Sequence, residues 1–507
     1  MTNLDSVVDE IATAKYTLNG LIATPEQEAI IDFARSSQDN ILINALAGAA
    51  KTSTLQFLCK YLPVHPILSL AFNKRIAEEM TKRLPGHVKC QTLNSVGHRV
   101  WASACSSRLT LETKKSYNIL KEIVDDLPRA DRSGAYEIFS DTLRIVARAK
   151  SAGYIPDGIM PHAKRLVTNE AFWSFQEDDS EDEINSFQKE LVDEVLTEGI
   201  KRAYKGLIDF DDQIYMSTLF GGTFPQFPTV MVDEAQDLSS LNHEMLKKLA
   251  KGRLIAVGDP WQSIYGFRGA VANGMASLKD HFKMKEMGLS VSFRCPIEIV
   301  KNARFRAPHM QWASTAIPGS ITTLEAWDET DIPDGAAIIC RNNAPLFSLA
   351  FKLLRRSRGV TLVGFDIGPR LIKTMKKLGP ETMTQKEVLN GIARWEQEKS
   401  RNARSQGTIR DKAECLRVFS SFGNTLGEAV AYAEHLFKTT GSVQLLSGHK
   451  AKGLEWDTVY HLDPWRIPSP YAASEEEQEQ ELNVRYVVET RAKRDLFFVT
   501  MEGFDAK

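Results

Sequence analysis

Hydrophobic positions along the chain fall into two alternating textures. Ile41-Leu42-Ile43 is an unbroken apolar run that reads as a buried strand. It passes through the small residues Asn44-Ala45-Leu46-Ala47-Gly48-Ala49-Ala50 into an apolar, helix-like stretch over residues 54–58. Upstream, Thr24-Pro25-Glu26-Gln27 opens a helix, with Thr24 as N-cap, Pro25 at the first helical position and Ala29, Ile30, Ile31 and Phe33 following. A second strand at Ile67-Leu68-Ser69-Leu70-Ala71-Phe72 precedes a helix over 75–84, stopped by Pro85-Gly86. Strands alternating with helices predict a parallel α/β sheet.

Residues 99–205 carry only helical spacing (Tyr117, Leu120, Ile123, Val124, Leu127; Leu191, Val195, Leu196) and no convincing strand. Within them the acidic run 177–183 reads as an exposed loop. Strand patterning resumes at Thr229-Val230-Met231-Val232 and Leu254-Ile255-Ala256-Val257, then at Ala337-Ile338-Ile339-Cys340, 459–462 and 496–499. Residues 366–440 are again mostly helical. Part of this stretch is basic, with Arg401, Arg404 and Arg410 opposed only by Asp411 between 399 and 412; it is either a solvated helical face or a DNA-facing patch. The pattern predicts two α/β blocks, each interrupted by a helical insertion.

Composition narrows this only a little. A chain of 507 residues holds several domains. Lys plus Arg (63) nearly cancels Asp plus Glu (65), so any nucleic-acid track must be a local patch. The six cysteines form no CxxC pair, which argues against zinc, an iron–sulfur cluster or a secreted disulfide framework. No leader-like or membrane-length apolar run is present, so a soluble, intracellular (cytoplasmic) protein without membrane partners is expected.

The chemistry concentrates after the strands. Strand, small-residue loop, Lys51-Thr52-Ser53 and helix are the layout of a phosphate-binding loop: backbone N–H groups of Ala47, Gly48, Ala49 and Ala50 curl round phosphates, Lys51 neutralises them and Thr52 holds Mg²⁺. Taken alone, the stretch is also compatible with a small-residue turn before an ordinary helix. Asp233-Glu234 follow a buried strand directly, where adjacent acids are costly unless a cation or proton transfer compensates. Asp233 is the natural Mg²⁺ holder and Glu234 the base for an attacking water. Gln262 lies just past the next strand, followed by Tyr265, Phe267 and Arg268, an aromatic and basic pattern suited to stacking single-stranded bases and meeting phosphate.

With these motifs in this order, the chain resembles the superfamily 1 DNA helicases of the UvrD/Rep/PcrA group over about residues 24–496. Leu70-Ala71-Phe72-Asn73-Lys74 and 449–457 (His449-Lys450-Ala451-Lys452-Gly453-Leu454-Glu455-Trp456-Asp457) are similar to the branch of the F-box DNA helicases, though no F-box is expected ahead of Thr24 and no nuclease after Arg491. The resemblance implies two RecA-like parallel-sheet P-loop NTPase domains using ATP and Mg²⁺. Domain 1A would take 1–98 and 206–280, insertion 1B 99–205, domain 2A 281–365 and 441–507, and insertion 2B 366–440. It implies Gln27 as adenine reader, Phe293 as an adenine-stacking ring, and Arg294 and Arg491 as arginines on the γ-phosphate. Glu455 would contact the nucleotide, and Gln262 would sense the γ-phosphate. DNA contacts would come from Phe72, Asn73, Thr92, Asn94, Tyr265, Phe267, Arg268 and His449, while Asp209-Phe210-Asp211-Asp212 matches an acidic segment ahead of the Asp233 strand. Singly, Arg294 or Arg491 could instead form a surface or inter-domain salt bridge.

The implied activity is an ATP-dependent 3′→5′ translocase or helicase on single-stranded DNA and single/double-strand junctions, monomeric, acting in repair, recombination or replication. Two other readings are a DNA-binding clamp that holds nucleotide without turnover, and a remover of recombinase filaments that unwinds little. The chain departs from the family pattern at Ala50 and Asn94, where glycine and histidine are usual, at Phe293, where tyrosine is usual, and at Ser53-Thr54, which lack a following arginine.

Overall fold

The computed structural model describes residues 15–71, 74–159, 165–179, 184–264, 274–364, 367–400, 406–472 and 474–506. Among these, residues 15–46, 50–179 and 184–290 gather into one compact unit, and 47–49 with 291–506 into a second.

The first unit opens with a hairpin, β1 (Thr17–Leu18) and β2 (Leu21–Ile22), and the helix Pro25–Ser36. Thr24 caps that helix with a full capping box: its side chain accepts from Gln27 N–H while Gln27 accepts from Thr24 N–H. Strands β3 (Ile41–Ala45), β4 (Ile67–Leu70) and β5 (Val88–Gln91) follow. A short pair, β6 (Thr110–Leu111) and β7 (Leu207–Ile208), brackets the insertion. Then come β8 (Phe227–Val232), β9 (Ala250–Gly258) and β10 (Lys285–Leu289). The main sheet has the order β10-β3-β9-β8-β4-β5, parallel throughout. Its strands are continuous apolar runs because helices cover them; Leu42, Leu68, Val230, Leu254 and Ala256 share one core with Met245, Leu246 and Leu249 of the helix Ser240–Leu249.

This order sets the chemistry. Strands β3, β9 and β8 are adjacent and parallel, so the loops leaving their carboxyl ends emerge side by side.

Helices between Lys115 and Tyr204 pack around their own core, with Ile119, Leu120, Val124, Ile145, Val146, Leu191, Val195 and Leu196. A buried ionic cluster lies beneath it. Lys150 Nζ is 2.7 Å from Asp209 and 2.8 Å from Asp212, and Lys115 Nζ is 2.6 Å from Asp212. Asp209 and Asp212 thus serve as paired buried charges and as the two halves of a capping box on the helix Phe210–Leu219.

Three expectations change. The boundary expected at 280/281 leaves Lys285–Leu289 in the second block, yet β10 pairs with β3 along its whole length. Its mixed sequence, Lys-Glu-Met-Gly-Leu, hid an edge strand whose outer side needs no apolar run. The boundary expected at 98/99 falls inside the continuous helix Leu93–Ala104. The stretch expected to hold no strand contains β6, two exposed residues too short to leave a pattern.

The second unit begins with β11 (Val291–Ser292) paired to β12 (Gln311–Trp312). Its six-stranded parallel sheet contains β13 (Ser320–Leu324), β14 (Ala337–Cys340), β15 (Val360–Leu362), β16 (Val443–Ser447), β17 (Trp456–Leu462) and β18 (Ala492–Val499), in the order β13-β18-β17-β14-β16-β15. The helices Gln385–Ser400, Gln406–Ser420 and Leu426–Leu436 share the core of this sheet. Val388, Leu416, Phe419 and Ala433 join the same apolar cluster as Ile338, Val360 and Leu445 of the sheet. All six cysteines are free thiols. No helix among the described residues is long and apolar enough to cross a membrane.

Candidate nucleotide and DNA site

In the first unit, β3 ends at Ala45, and the helix Lys51–Tyr61 begins directly at the lysine. The residue before it, Ala50, holds the left-handed conformation, with φ 53° and ψ 41°. A residue without a Cβ adopts that conformation at no steric cost, which is why glycine suits the position.

Lys51 Nζ donates to both carboxylate oxygens of Glu234, at 2.9 Å each. Burial alone would push the ammonium pKa down; Glu234, Asp233 and Asp259 more than reverse it, so the lysine stays charged. Glu234 is itself in the left-handed region, with φ 53° and ψ 44°. Such a backbone is uncommon for a residue with a long side chain and is characteristic of functional sites.

Asp233 sits one residue past β8, 7% exposed, and accepts the Glu234 N–H at 2.9 Å. Its carboxyl pKa is pushed up to about 6, first by burial and then by the charge of Glu234. A buried oxygen donor held short of its usual ionisation is what a hard divalent cation would relieve, so the residues present fit Mg²⁺. Thr52, half-buried in the first helical turn, is the hydroxyl on the same loop. Among the described residues no cluster of three or more His, Cys, Asp or Glu forms a metal cage.

Gln236 had no sequence-based role, yet it is the hub of this site. It is fully buried; its Nε2 donates to Glu234 Oε2 at 2.5 Å and its Oε1 accepts the Asp259 N–H at 3.1 Å. Asp259, also fully buried, accepts from Gln262 Nε2 at 2.8 Å. Burial raises the Asp259 carboxyl pKa. A continuous chain of contacts therefore runs Lys51–Glu234–Gln236–Asp259–Gln262 across the ends of β3, β8 and β9. The available signal was a glutamine two residues past the acidic pair.

Gln27 is 3% exposed, and both ends of its amide are engaged: Oε1 with Thr24 N–H, and Nε2 with Thr54 Oγ1 at 2.9 Å. Thr54 in turn donates to the Ala50 carbonyl, so Gln27 is wired to the loop. Ser53 is half-buried beside it in sequence.

Of the expected DNA contacts in this unit, Thr92 caps the helix Leu93–Ala104, accepting from Ser95 N–H. Asn94 Nδ2 donates to the Phe210 carbonyl at 2.7 Å. That bond brings in Phe210, which the sequence named only within the acidic segment 209–212 and not as a DNA contact. Phe210 is 52% exposed at the mouth of a cleft of about 550 Å³ lined also by Lys114, Tyr117 and Val146. Phe72, Asn73, Tyr265, Phe267 and Arg268 lie outside the described residues.

In the second unit, Phe293 presents a ring 54% exposed. The next residue, Arg294, pairs through Nε with Glu455 at 2.7 Å, so two residues expected to meet nucleotide are held together. Gly48, with φ +74°, belongs to this unit, and its carbonyl accepts the Phe293 N–H at 2.9 Å; a Cβ there would come within 2.6 Å of Arg294 Cβ and Ser292 Oγ. Ala47 and Ala49 flank it, both buried, and the Ala47 N–H donates to Tyr486 Oη at 2.9 Å. Arg491 is 1% exposed, donating to the Val487 carbonyl (2.9 Å), Thr490 Oγ1 (3.1 Å) and the Leu454 carbonyl (3.3 Å). His449 is half-buried in the turn after β16.

Comparison with known proteins agrees with this layout. Residues 23–283 match the UvrD/REP helicase N-terminal domain, and residues 393–503 the UvrD-like helicase C-terminal domain. F-box DNA helicase protein 1 of Schizosaccharomyces pombe is 23% identical over 98% of this chain and 59% of its own length. F-box DNA helicase 1 of Gallus gallus is 25% identical over 95% of this chain and 49% of its own. The ATP-dependent DNA helicase PcrA of Staphylococcus epidermidis is 26% identical over 62% and 45%. The chain spans about half the length of these relatives. With Lys51, the acidic pair Asp233-Glu234 and a glutamine relay on adjacent strand ends, and with family matches over both units, the chain belongs to the UvrD-like helicase family.

Proposed function

We propose that the chain is an ATP-driven motor on single-stranded DNA, a 3′→5′ translocase and helicase serving repair or recombination, working as a monomer inside the cell. The observation that carries this is the continuous path from Lys51 to Gln262. It connects the group that would hold phosphate to the strand end that leads into the aromatic and basic segment Tyr265–Arg268.

In this reading Lys51 exchanges Glu234 for nucleotide phosphate. Glu234, released from the ammonium, becomes free to take a proton from water, and Asp233 and Thr52 are the residues that would hold Mg²⁺. The cation would supply charge neutralisation at the phosphates. Gln236 keeps the Glu234 carboxylate aimed and passes its position to Asp259 and Gln262. Arg294, released from Glu455, and Arg491 would each be a cation for the developing charge, and Phe293 and Gln27 would each be an adenine contact. The residues that would meet DNA are Phe72, Asn73, Thr92, Asn94, Tyr265, Phe267, Arg268 and His449, to which the exposed Phe210, bonded through its carbonyl to Asn94, is added.

The test is ATP turnover with and without single-stranded DNA, followed by unwinding of 3′- and 5′-tailed duplexes. Strong DNA stimulation, with unwinding of the 3′-tailed substrate only, is expected; turnover indifferent to DNA refutes the motor. Glu234→Gln should retain ATP and DNA binding but lose turnover by orders of magnitude, and near-normal turnover removes Glu234 from the role of base. The second reading, a clamp that holds nucleotide without hydrolysis, is favoured by one observation only, the strained Ala50.

A further inference from the structure

The helix Glu475–Glu489 ends on a carboxylate that the chemistry above does not use. Glu489 is fully buried, yet it is not an isolated charge. Its Oε2 accepts from Asn302 Nδ2 at 2.6 Å, and its Oε1 from Arg485 Nε at 2.8 Å. His461 Nδ1 lies 3.4 Å from Oε1. These partners come from three elements: the helix Ile297–Ala303, the Glu489 helix itself, and β17 at the centre of the sheet. Burial pushes the Glu489 carboxyl pKa up, but His461 and Arg485 bring it below its ordinary value, so the group is an anion at neutral pH. His461 is also fully buried, and neither ring nitrogen makes a hydrogen bond of good geometry.

A buried anion with a buried imidazole against it stabilises less than well-packed apolar side chains of the same volume. What it supplies is directional anchoring. The two residues that follow are Thr490 and Arg491. Thr490 ends the helix with its N–H and hydroxyl both on the Tyr486 carbonyl. Arg491 takes its own N–H to Val488 and its guanidinium to Val487 and Thr490 Oγ1. Those acceptors belong to the last turn that Glu489 ties down; a further acceptor of the guanidinium, the Leu454 carbonyl at 3.3 Å, lies outside it.

We propose that Glu489 is a positioning residue for Arg491: its contacts with Asn302, Arg485 and His461 fix the final helical turn, and that turn holds the guanidinium. The inference rests on the reading of Arg491 as an arginine that meets the nucleotide phosphate.

The experiment is a double-mutant cycle on the full chain, measured as DNA-stimulated ATP turnover, with thermal unfolding to verify folding. Arg491→Ala is expected to lower kcat by about 100-fold or more. Glu489→Gln keeps the volume but gives up the charge and sets an amide N–H₂ against donors; it is expected to lower kcat about tenfold with KM for ATP within about twofold. In the Arg491→Ala background the same change should cost less than about twofold, because the group it positions is gone. Asn302→Ala, at a half-buried site, should give a smaller kcat loss with the same dependence on Arg491, and it carries the cycle if Glu489→Gln does not fold. A Glu489→Gln or Asn302→Ala loss that persists undiminished without Arg491, or full turnover in both variants beside an inactive Arg491→Ala protein, overturns the positioning role alone. Unchanged turnover in Arg491→Ala overturns the reading on which it rests.

Discussion

Replacing Ala50 by glycine isolates the cost of the loop's unusual residue. At φ 53° and ψ 41°, Ala50 sits near the centre of the left-handed well. The methyl therefore carries the intrinsic penalty of an L-residue there, about 1–2 kcal/mol. Ala50→Gly removes that penalty but adds about 0.4–1 kcal/mol of unfolded-chain entropy. The two terms leave a net gain of roughly 0–1.5 kcal/mol, so the free protein is expected to melt up to a few degrees higher. The conformation is already paid for in the native Ala50 protein, and the Lys51–Glu234 contact is made with alanine in place. Turnover should consequently differ by less than about tenfold between the two, or about 1.4 kcal/mol in barrier. The assay pairs thermal unfolding without nucleotide with DNA-stimulated hydrolysis at saturating ATP. A clear loss of stability in Ala50→Gly would refute the strain argument. An inert natural protein, with activity appearing only in the glycine variant, would refute the motor and establish the clamp.

The remaining predictions concern charge and the DNA track. Asp233 is more readily protonated folded than unfolded, so its ionisation destabilises the nucleotide-free protein as pH rises from about 4 through about 6, on the order of 2–3 kcal/mol, and the cost is absent below that window. Asp233→Asn should accordingly raise the melting temperature at pH 7 in the absence of Mg²⁺ while abolishing turnover; unchanged or lower stability would count against the buried anion. For the same reason Mg²⁺-dependent nucleotide binding should weaken as pH drops below about 6, read by titration of a fluorescent nucleotide at pH 5 and 7. Phe210→Ala should weaken single-strand binding by about 1–3 kcal/mol, the usual worth of one base stack, and unchanged affinity would take Phe210 off the track. Phe267→Ala should behave alike, with unaltered DNA affinity placing that ring in the core.

Much of this protein was legible in its sequence because the signals are local. A buried parallel strand must be a continuous apolar run, so β3, β4, β8, β9 and β14 announced themselves; Asp233 and Glu234 directly after one such run, and Lys51 one small-residue loop past another, stood out as candidates. Thr24 and Pro25 marked their helix start because capping involves only residues three apart. Where a residue's role depends on distant chain, the tertiary structure alone decided. The edge strand β10 has no apolar run to display, and only its pairing with β3, more than two hundred residues upstream, reveals it. Gln236 became a hub because β8 and β9 are neighbours, which brings the backbone of Asp259 to its amide. Phe210, quoted in the sequence only as part of an acidic segment, is brought beside Asn94 by the fold, and Asn302 and His461 converge on Glu489 from separate elements. Residue type and spacing encode which chemistry a chain can carry; the order of strands in a sheet decides which of those groups meet.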